Sequence, residues 1–323
     1  MSDSAGQVKH YRNKFNFRFV DATADGAAGQ VLSLATMAPG KRRRELVAIA
    51  GSPLVYPVIN DIAAEWVTWL RAQGVRATDV KSLVLRANRK GECIVGLFVR
   101  RPLALANFPA LNARLRGYRV FLSAPGSDVS TPDSVLYAAG DDFLEEILLG
   151  QTFRYGLLSF FQVNVPVFEI VLRDMRNFVP EAAPVVDFYG GVGAIGLSVS
   201  GSAAPLTIIE AGKSESKYAR HNSAALGRKQ THVVEAAAAQ ALTYIQSETV
   251  IIVDPPRRGL DLPFIKALQT VTPYRLIYLS CNPKTQTRDV AALGSHYSII
   301  FRKEYDFFPG TEHVESLMVL ERL

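Results

Sequence analysis

The residues with the most chemical potential sit where apolar runs stop. "YLSCNP" (278–283) places Cys281 between such a run and an Asn-Pro break, and the other cysteine, Cys93, is far away in sequence. "VIIVDPPRRG" (250–259) ends in Asp254, after which two prolines fix the backbone and remove donors. "VVDFYGGVGAIG" (185–196) ends in Asp187 and then in Gly191-x-Gly193-x-x-Gly196, while "LTIIEAG" (206–212) ends in Glu210. A cysteine thiolate is a strong nucleophile, and its pKa falls near positive charge or a helix N-terminus. A glycine-rich turn brings backbone close to a ligand, and an acid ending the next strand can accept from both hydroxyls of a ribose.

These groups narrow the cofactor and then the reaction. The glycines fit a dinucleotide fingerprint by letter, but a carboxylate at Asp187 would repel a pyrophosphate, which favours S-adenosylmethionine over NAD. An aromatic after Asp-Pro-Pro would suit stacking in amine methylation; here Arg257 follows. A thiolate beside a methyl donor matches uracil, whose carbon 6 is a Michael acceptor. Addition there makes carbon 5 nucleophilic enough to take a methyl group, and a base must then remove the carbon-5 proton. Spacing alone does not choose between Glu312 and Glu315 as that base.

The elements that must position these residues are readable from period and punctuation. Continuous Val/Ile/Leu runs ending near 188, 210, 253 and 280 are separated by helix-sized intervals, the pattern of a parallel sheet covered on both faces. Ligands of such sheets bind beyond the carboxyl ends of the strands, so the four clusters should converge. The first half differs. "KFNFRFV" (14–20) alternates as a half-buried strand, "SLVLRANRKGECIVGLFVRR" (82–101) reads as a hairpin with a basic tip, and "INDIAAEWVTWLRAQG" (59–74) as a helix stopped at Gly74. "KRRR" (41–44) reads as a loop or the start of an element.

At 323 residues two domains are expected, with a boundary between 155 and 156. Residues 1–120 hold 19 Lys and Arg against 8 Asp and Glu, whereas residues 121–323 hold 17 against 22. A basic half suggests a polyanionic partner. The opening stretch has no apolar signal-like core and no apolar run reaches the ~18 residues of a membrane span, so a cytoplasmic location without membrane association is expected. Two cysteines without a CxxC pair leave no set for a cysteine-bound metal or iron–sulfur cluster.

The second half resembles the RNA 5-methyluridine methyltransferase family. The matching stretches are "SFFQVN" (159–164), "DFYGGVGAIGL" (187–197), "DPPRRGL" (254–260), "SCNPKTQTRD" (280–289) and "FPGTEHVE" (308–315), with "HYRNK" (10–14) resembling a basic motif of the family's RNA-binding region. The resemblance implies Cys281 as nucleophile, Glu315 as the carbon-5 base and Asp254 beside cysteine and uracil. It further implies that Gln162, Tyr189, Gly191, Glu210 and Asp254 hold S-adenosylmethionine, that Phe160 packs near the target base, and that Arg12 and Lys14 meet RNA. Fold and organisation follow as a Rossmann-like class I S-adenosylmethionine-dependent methyltransferase domain over 156–323, preceded by an α/β RNA-binding region over 1–155.

Departures from the family pattern are the glycine at Gly190, where a cysteine is usual, and Ala194 in place of Asn or Gly. An N-terminal barrel and an iron–sulfur cluster are not expected, which brings the layout closest to the compact ribosomal RNA subgroup. The expected substrate is therefore ribosomal RNA or tRNA, with no obligate protein partner. Two rivals compete. A non-catalytic RNA-binding protein on this scaffold would have lost Cys281, Glu315 or Asp254, and all three are present. A dinucleotide-dependent oxidoreductase leaves "SCNP" and "HVE" unexplained.

Overall fold

A computed structural model describes residues 9–23, 29–38, 45–123 and 131–323, so the "KRRR" run lies outside the described residues. The chain divides into two compact units between Leu144 and Glu145.

The first unit is a seven-stranded sheet in the order β3-β2-β1-β4-β5-β6-β7. Its strands are β1 (Lys14–Thr23), β2 (Gln30–Met37), β3 (Leu46–Ala48), β4 (Val80–Ala87), β5 (Cys93–Val99), β6 (Leu115–Leu122) and β7 (Ser134–Gly140), with one helix, α1 (Pro57–Ala72). Proline at the first helical position opens α1, and Gly74, at φ +69°, ends its run. Ile59, Ile62, Ala63, Trp66, Val67 and Leu70 recur at helical spacing and bury one face of α1 in the core formed with the sheet. β1 turns Phe17 and Phe19 into the same core. The expected hairpin is β4 and β5, antiparallel. Its turn is closed by the Asn88 side-chain oxygen, which accepts from the amides of Lys90 and Glu92, with Gly91 at φ +79° and Arg89 and Lys90 exposed at the tip.

The second unit opens with the hairpin β8 (Phe143–Leu148) and β9 (Gln151–Gly156) and the helix α2 (Val165–Arg176). There follow β10 (Val185–Phe188), α3 (Ala194–Val199), β11 (Leu206–Glu210), α4 (Lys213–Ala225), β12 (Thr231–Glu235), β13 (Val250–Val253), α5 (Leu262–Val271), β14 (Arg275–Ser280), α6 (Pro283–Leu293), β15 (Tyr297–Tyr305) and β16 (Glu315–Arg322). Residues 145–155, read from sequence with the first half, pack with the second unit. The reason is local: the buried Asn222 amide of α4 exchanges two hydrogen bonds with the backbone of Arg154 on β9.

The four apolar runs are β10, β11, β13 and β14. Sheet order is β12-β11-β10-β13-β14-β16-β15, with the first five strands parallel and β16 antiparallel to both its neighbours, β14 and β15. Every residue of β10 and β13 is buried, which explains why those runs are continuous rather than alternating. The chain leaves β10 toward β11 on one side and takes up β13 on the other, so the topological switch lies at β10, where ligands of open α/β sheets bind. Among the described residues, no helix is long and apolar enough to cross a membrane.

Candidate active site

The loop after β10 is shaped by left-handed residues. Tyr189 (φ +61°), Gly191 (+55°) and Gly193 (+82°) alternate with ordinary positions, and for a tyrosine this conformation carries a cost of roughly 1 kcal/mol or more. Gly190 has no room for a side chain, because a Cβ there would lie 2.5 Å from Ile208 Cγ2. The volume a cysteine would need is filled by the neighbouring strand. Two carboxylates hold the loop. Asp187 accepts from the Gly196 amide at the start of α3 (2.9 Å), and Glu210 accepts from the amides of Gly191 (2.9 Å) and Gly212 (2.6 Å).

Phe160, Gln162, Tyr189, Gly191 and Asp254 all line one open cleft beside this loop. Phe160 is 65% exposed there, an unusual position for a large aromatic and one that leaves its ring face free to stack. Glu210 reaches the cleft through the Gly191 amide rather than by lining it. The other oxygen of Asp187 is buried and has no hydrogen-bond partner among the described residues. Burial, together with the carboxylates of Asp254 and Glu210, pushes Asp187 up to about 7 despite the Gly196 amide. An unpaired carboxylate oxygen behind a glycine loop is what a cationic amino group would satisfy, so the donor set fits S-adenosylmethionine.

Cys281, Asp254 and Glu315 form the second cluster. β13 delivers Asp254 at its end, and β14 delivers Cys281 just after Ser280. Antiparallel pairing of β14 with β16 sets Ser280 opposite Ser316, so one further step of register brings Cys281 and Glu315 together. Glu315 is 4% exposed, whereas Glu312 is exposed in the preceding loop. Of the two glutamates that spacing left open, Glu315 is the one that lies with Cys281 and Asp254. Burial raises its pKa, as does Asp254, with Arg257 opposing. Asp254 is raised by burial as well. The thiol of Cys281 is pushed up rather than down, first by burial and then by Glu315 and Asp254, with Arg257 pulling the other way. Burial and two carboxylates outweigh the Arg257 charge, so the sulfur needs a proton acceptor and has two carboxylates beside it.

The braces of this cluster escaped sequence reasoning. Gln286 on α6 is fully buried and donates to the carbonyls of Tyr278 (2.8 Å) and Ser316 (3.0 Å), tying β14 to β16 behind the cysteine. Asp289, one helical turn on, accepts from the Leu260 amide, the Tyr278 hydroxyl and the Arg288 guanidinium, which fastens the Asp-Pro-Pro loop to α6. Asn282 and Thr285 both donate to the Arg257 carbonyl. Asn164 caps α2 and donates to Phe307 (3.2 Å), joining the "FQVN" turn to the loop before β16. The available signal was the placement of Gln286, Asp289 and Leu293 on one helix face, where two polar residues share the buried side with a leucine. Arg12 and Lys14 lie half-buried in the first unit, where Arg12 pairs its backbone with Leu54 and Tyr56. Among the described residues no group of three His, Cys, Asp or Glu could hold a metal ion.

A parallel sheet with one antiparallel strand, β16, set next to its edge, a glycine loop at the switch point and two strand-end carboxylates define a Rossmann-like class I methyltransferase fold. The chain belongs to the tRNA (uracil-5-)-methyltransferase family, whose profile matches residues 142–323. An uncharacterised RNA methyltransferase of Mycoplasma mobile is 36% identical over 178 residues, 54% of this chain and 48% of that protein. One from Porphyromonas gingivalis is 30% identical over 262 residues, 75% of this chain and 56% of that protein. The chain thus spans about half the length of the curated relatives it matches. Among solved structures, the Pyrococcus abyssi tRNA (uracil-54, C5)-methyltransferase in complex with S-adenosyl-L-homocysteine superposes with a TM-score of 0.81 at 22% identity, covering 98% of this chain and 77% of that one.

Proposed function

We propose that this protein methylates carbon 5 of a uridine in RNA through a covalent adduct on Cys281, with S-adenosylmethionine as methyl donor. The observation that carries the reading is the meeting of one half-buried thiol with two carboxylates of raised pKa, Asp254 and Glu315, beside a cleft that Asp254 also lines. Tyr189, Gly191, Gln162 and Asp254 would hold the cofactor in the cleft, with Glu210 acting on it through the Gly191 loop and the buried, unpaired Asp187 oxygen supplying negative charge behind that loop. When bound, it supplies an electrophilic methyl group.

The chain's own groups do the rest. Asp254 takes the thiol proton of Cys281, and the sulfur forms a bond to carbon 6 of the uracil. The electron pair of the ring's 5,6 double bond moves onto the carbon-4 carbonyl, leaving carbon 5 nucleophilic toward the methyl group. Glu315 then removes the carbon-5 proton, the 5,6 double bond re-forms, and Cys281 departs as thiolate. A base buried beside the nucleophile suits this last step, because a raised pKa makes a carboxylate a stronger acceptor once ionised. Phe160, exposed at the cleft, offers a ring to a uracil turned out of its stack.

Transfer RNA is the substrate named for the Pyrococcus abyssi protein, and ribosomal RNA is the class expected from the sequence layout. Mass-spectrometric mapping of 5-methyluridine in both RNAs, from cells with and without this protein, tests the reading. One position should lose the modification in its absence and regain it with the unmodified protein but not with Cys281→Ala. Full modification restored by Cys281→Ala would overturn the covalent reaction.

A further inference from the structure

We infer that the groove between α5 and α6 is a second RNA subsite, one that grips a nucleotide flanking the target uridine. The inference rests on the proposed activity for the identity of its occupant. The groove has a volume of about 350 Å³, an apolar floor of Leu260 and Ile265, and a rim of Arg258 and Arg288. Leu262 stands at its lip, 72% exposed.

Two cations line the groove, and two more stand beside them on the same loop and helix, in the half of the chain that is acidic overall. Arg257, Arg258, Lys284 and Arg288 are all exposed, and Lys284 and Arg288 share one face of α6 at a spacing of four. The loop backbone is held still, in part by the Arg288 side chain itself, while Arg257, Arg258 and Lys284 are exposed. The Arg257 carbonyl accepts from Asn282 and Thr285, and the Arg258 carbonyl from Arg288 (2.8 Å). The Asp289 carboxylate inside the groove is consumed by the Leu260 amide, the Tyr278 hydroxyl and Arg288. Asp261 meets Arg258 only at 3.4 Å, and the side chains of Arg258 and Arg288 remain 71% and 58% exposed. The result is a preorganised cationic rim over an apolar floor, complementary to a phosphate joined to a base.

Position makes RNA the occupant. The loop that supplies Arg258 begins at Asp254 in the catalytic cluster, and four residues span at most about 14 Å. A strand with its uridine at Cys281 therefore passes the groove within the next few nucleotides. Phosphates meet Arg258, Lys284 and Arg288, and a base lies over Leu262 or a guanidinium plane.

The test uses the full chain and a fluorescein-labelled single-stranded RNA of about 20 nucleotides with one central uridine, followed by anisotropy as salt is varied. The double variant Arg258→Gln, Lys284→Gln should flatten the slope of log affinity against log salt by about 1.4 and weaken binding about 10-fold or more near 100 mM salt. The matched pair Lys217→Gln, Lys229→Gln, on α4 and the turn after it, should leave both unchanged. The thermal shift given by S-adenosylmethionine should be the same in all forms, which separates a lost contact from a lost fold. An unaltered slope in the first variant, or an equal loss in the second, overturns the subsite. If the slope falls as expected but the unmodified protein transfers no methyl group to uridine, the subsite stands and the proposed activity falls. If methyl transfer occurs and the slope is unaltered, the subsite alone falls.

Discussion

Cys281 faces two carboxylates and one guanidinium, and the balance among them sets when it can act. Burial, Glu315 and Asp254 all raise the thiol, and Arg257 and a backbone hydrogen bond oppose them. Little thiolate is present near neutrality, so adduct formation should accelerate as pH rises. Arg257→Gln removes the opposing charge and should push the thiol higher still, moving the pH profile of covalent trapping by 5-fluorouridine RNA toward alkali. A profile left in place would mean that Arg257 does not act on the sulfur. Glu315 acts at the other end of the reaction. Glu315→Gln keeps shape but cannot accept the carbon-5 proton, so RNA should accumulate on Cys281 as a species that survives denaturing electrophoresis, with turnover lowered by 100-fold or more. Normal turnover without trapped RNA would assign the base elsewhere, although the exposed Glu312 is poorly placed to replace it.

At the scale of elements, helices act as clamps on loops that carry the chemistry. Asn222 of α4 is the clearest case: it accepts from the Arg154 amide (2.7 Å) and donates to the carbonyls of Arg154 and of Val192, both at 2.9 Å. One buried side chain joins the β8–β9 hairpin to the glycine loop. Asn222→Ala strands three buried partners, a cost of roughly 2–4 kcal/mol, and frees the loop. The KM for S-adenosylmethionine should rise at least several-fold while kcat at saturation changes less; an unchanged KM would make Asn222 purely structural. The strand ends were legible in the sequence because each is an apolar run stopped by a polar or glycine-rich cluster, and the candidate residues Cys281, Asp254, Glu210 and Tyr189 all sit at such stops. The clamps were not. Asn222, Gln286 and Asp289 lie inside helices among other polar residues, and only the phase of the helix tells a buried amide from a solvated one. The raised thiol was equally hidden, because the carboxylates that raise it come from strands distant in sequence.

Across the whole molecule, charge divides in a way composition only partly conveys. Many arginines of the basic first unit are already matched, as in Arg76–Asp21, Arg101–Asp79, Arg114–Glu65 and Arg116–Asp141. The second unit, near neutral in sum, instead stores carboxylates in its interior, and this has a consequence for stability. Asp187 has a folded pKa of about 7 against 3.8 for the free group, raised chiefly by burial. A carboxylate raised on folding contributes stability that is complete below its unfolded pKa and is lost as pH climbs through the folded value. The second unit should therefore lose stability between about pH 4 and pH 7, by up to roughly 4 kcal/mol from this group. Glu315 and Asp254, also raised, add in the same direction. Asp187→Asn keeps an acceptor for the Gly196 amide but cannot ionise, so its unfolding curve should flatten over that range. A cationic amino group held against the ionised form reverses the penalty, so S-adenosylmethionine should raise the melting temperature more at pH 8 than at pH 5.5, a difference the Asn variant should lack. Thermal melts of both proteins across this range, with and without the cofactor, decide it: parallel curves would remove Asp187 as the source of the pH dependence and as the partner of the ligand's amine.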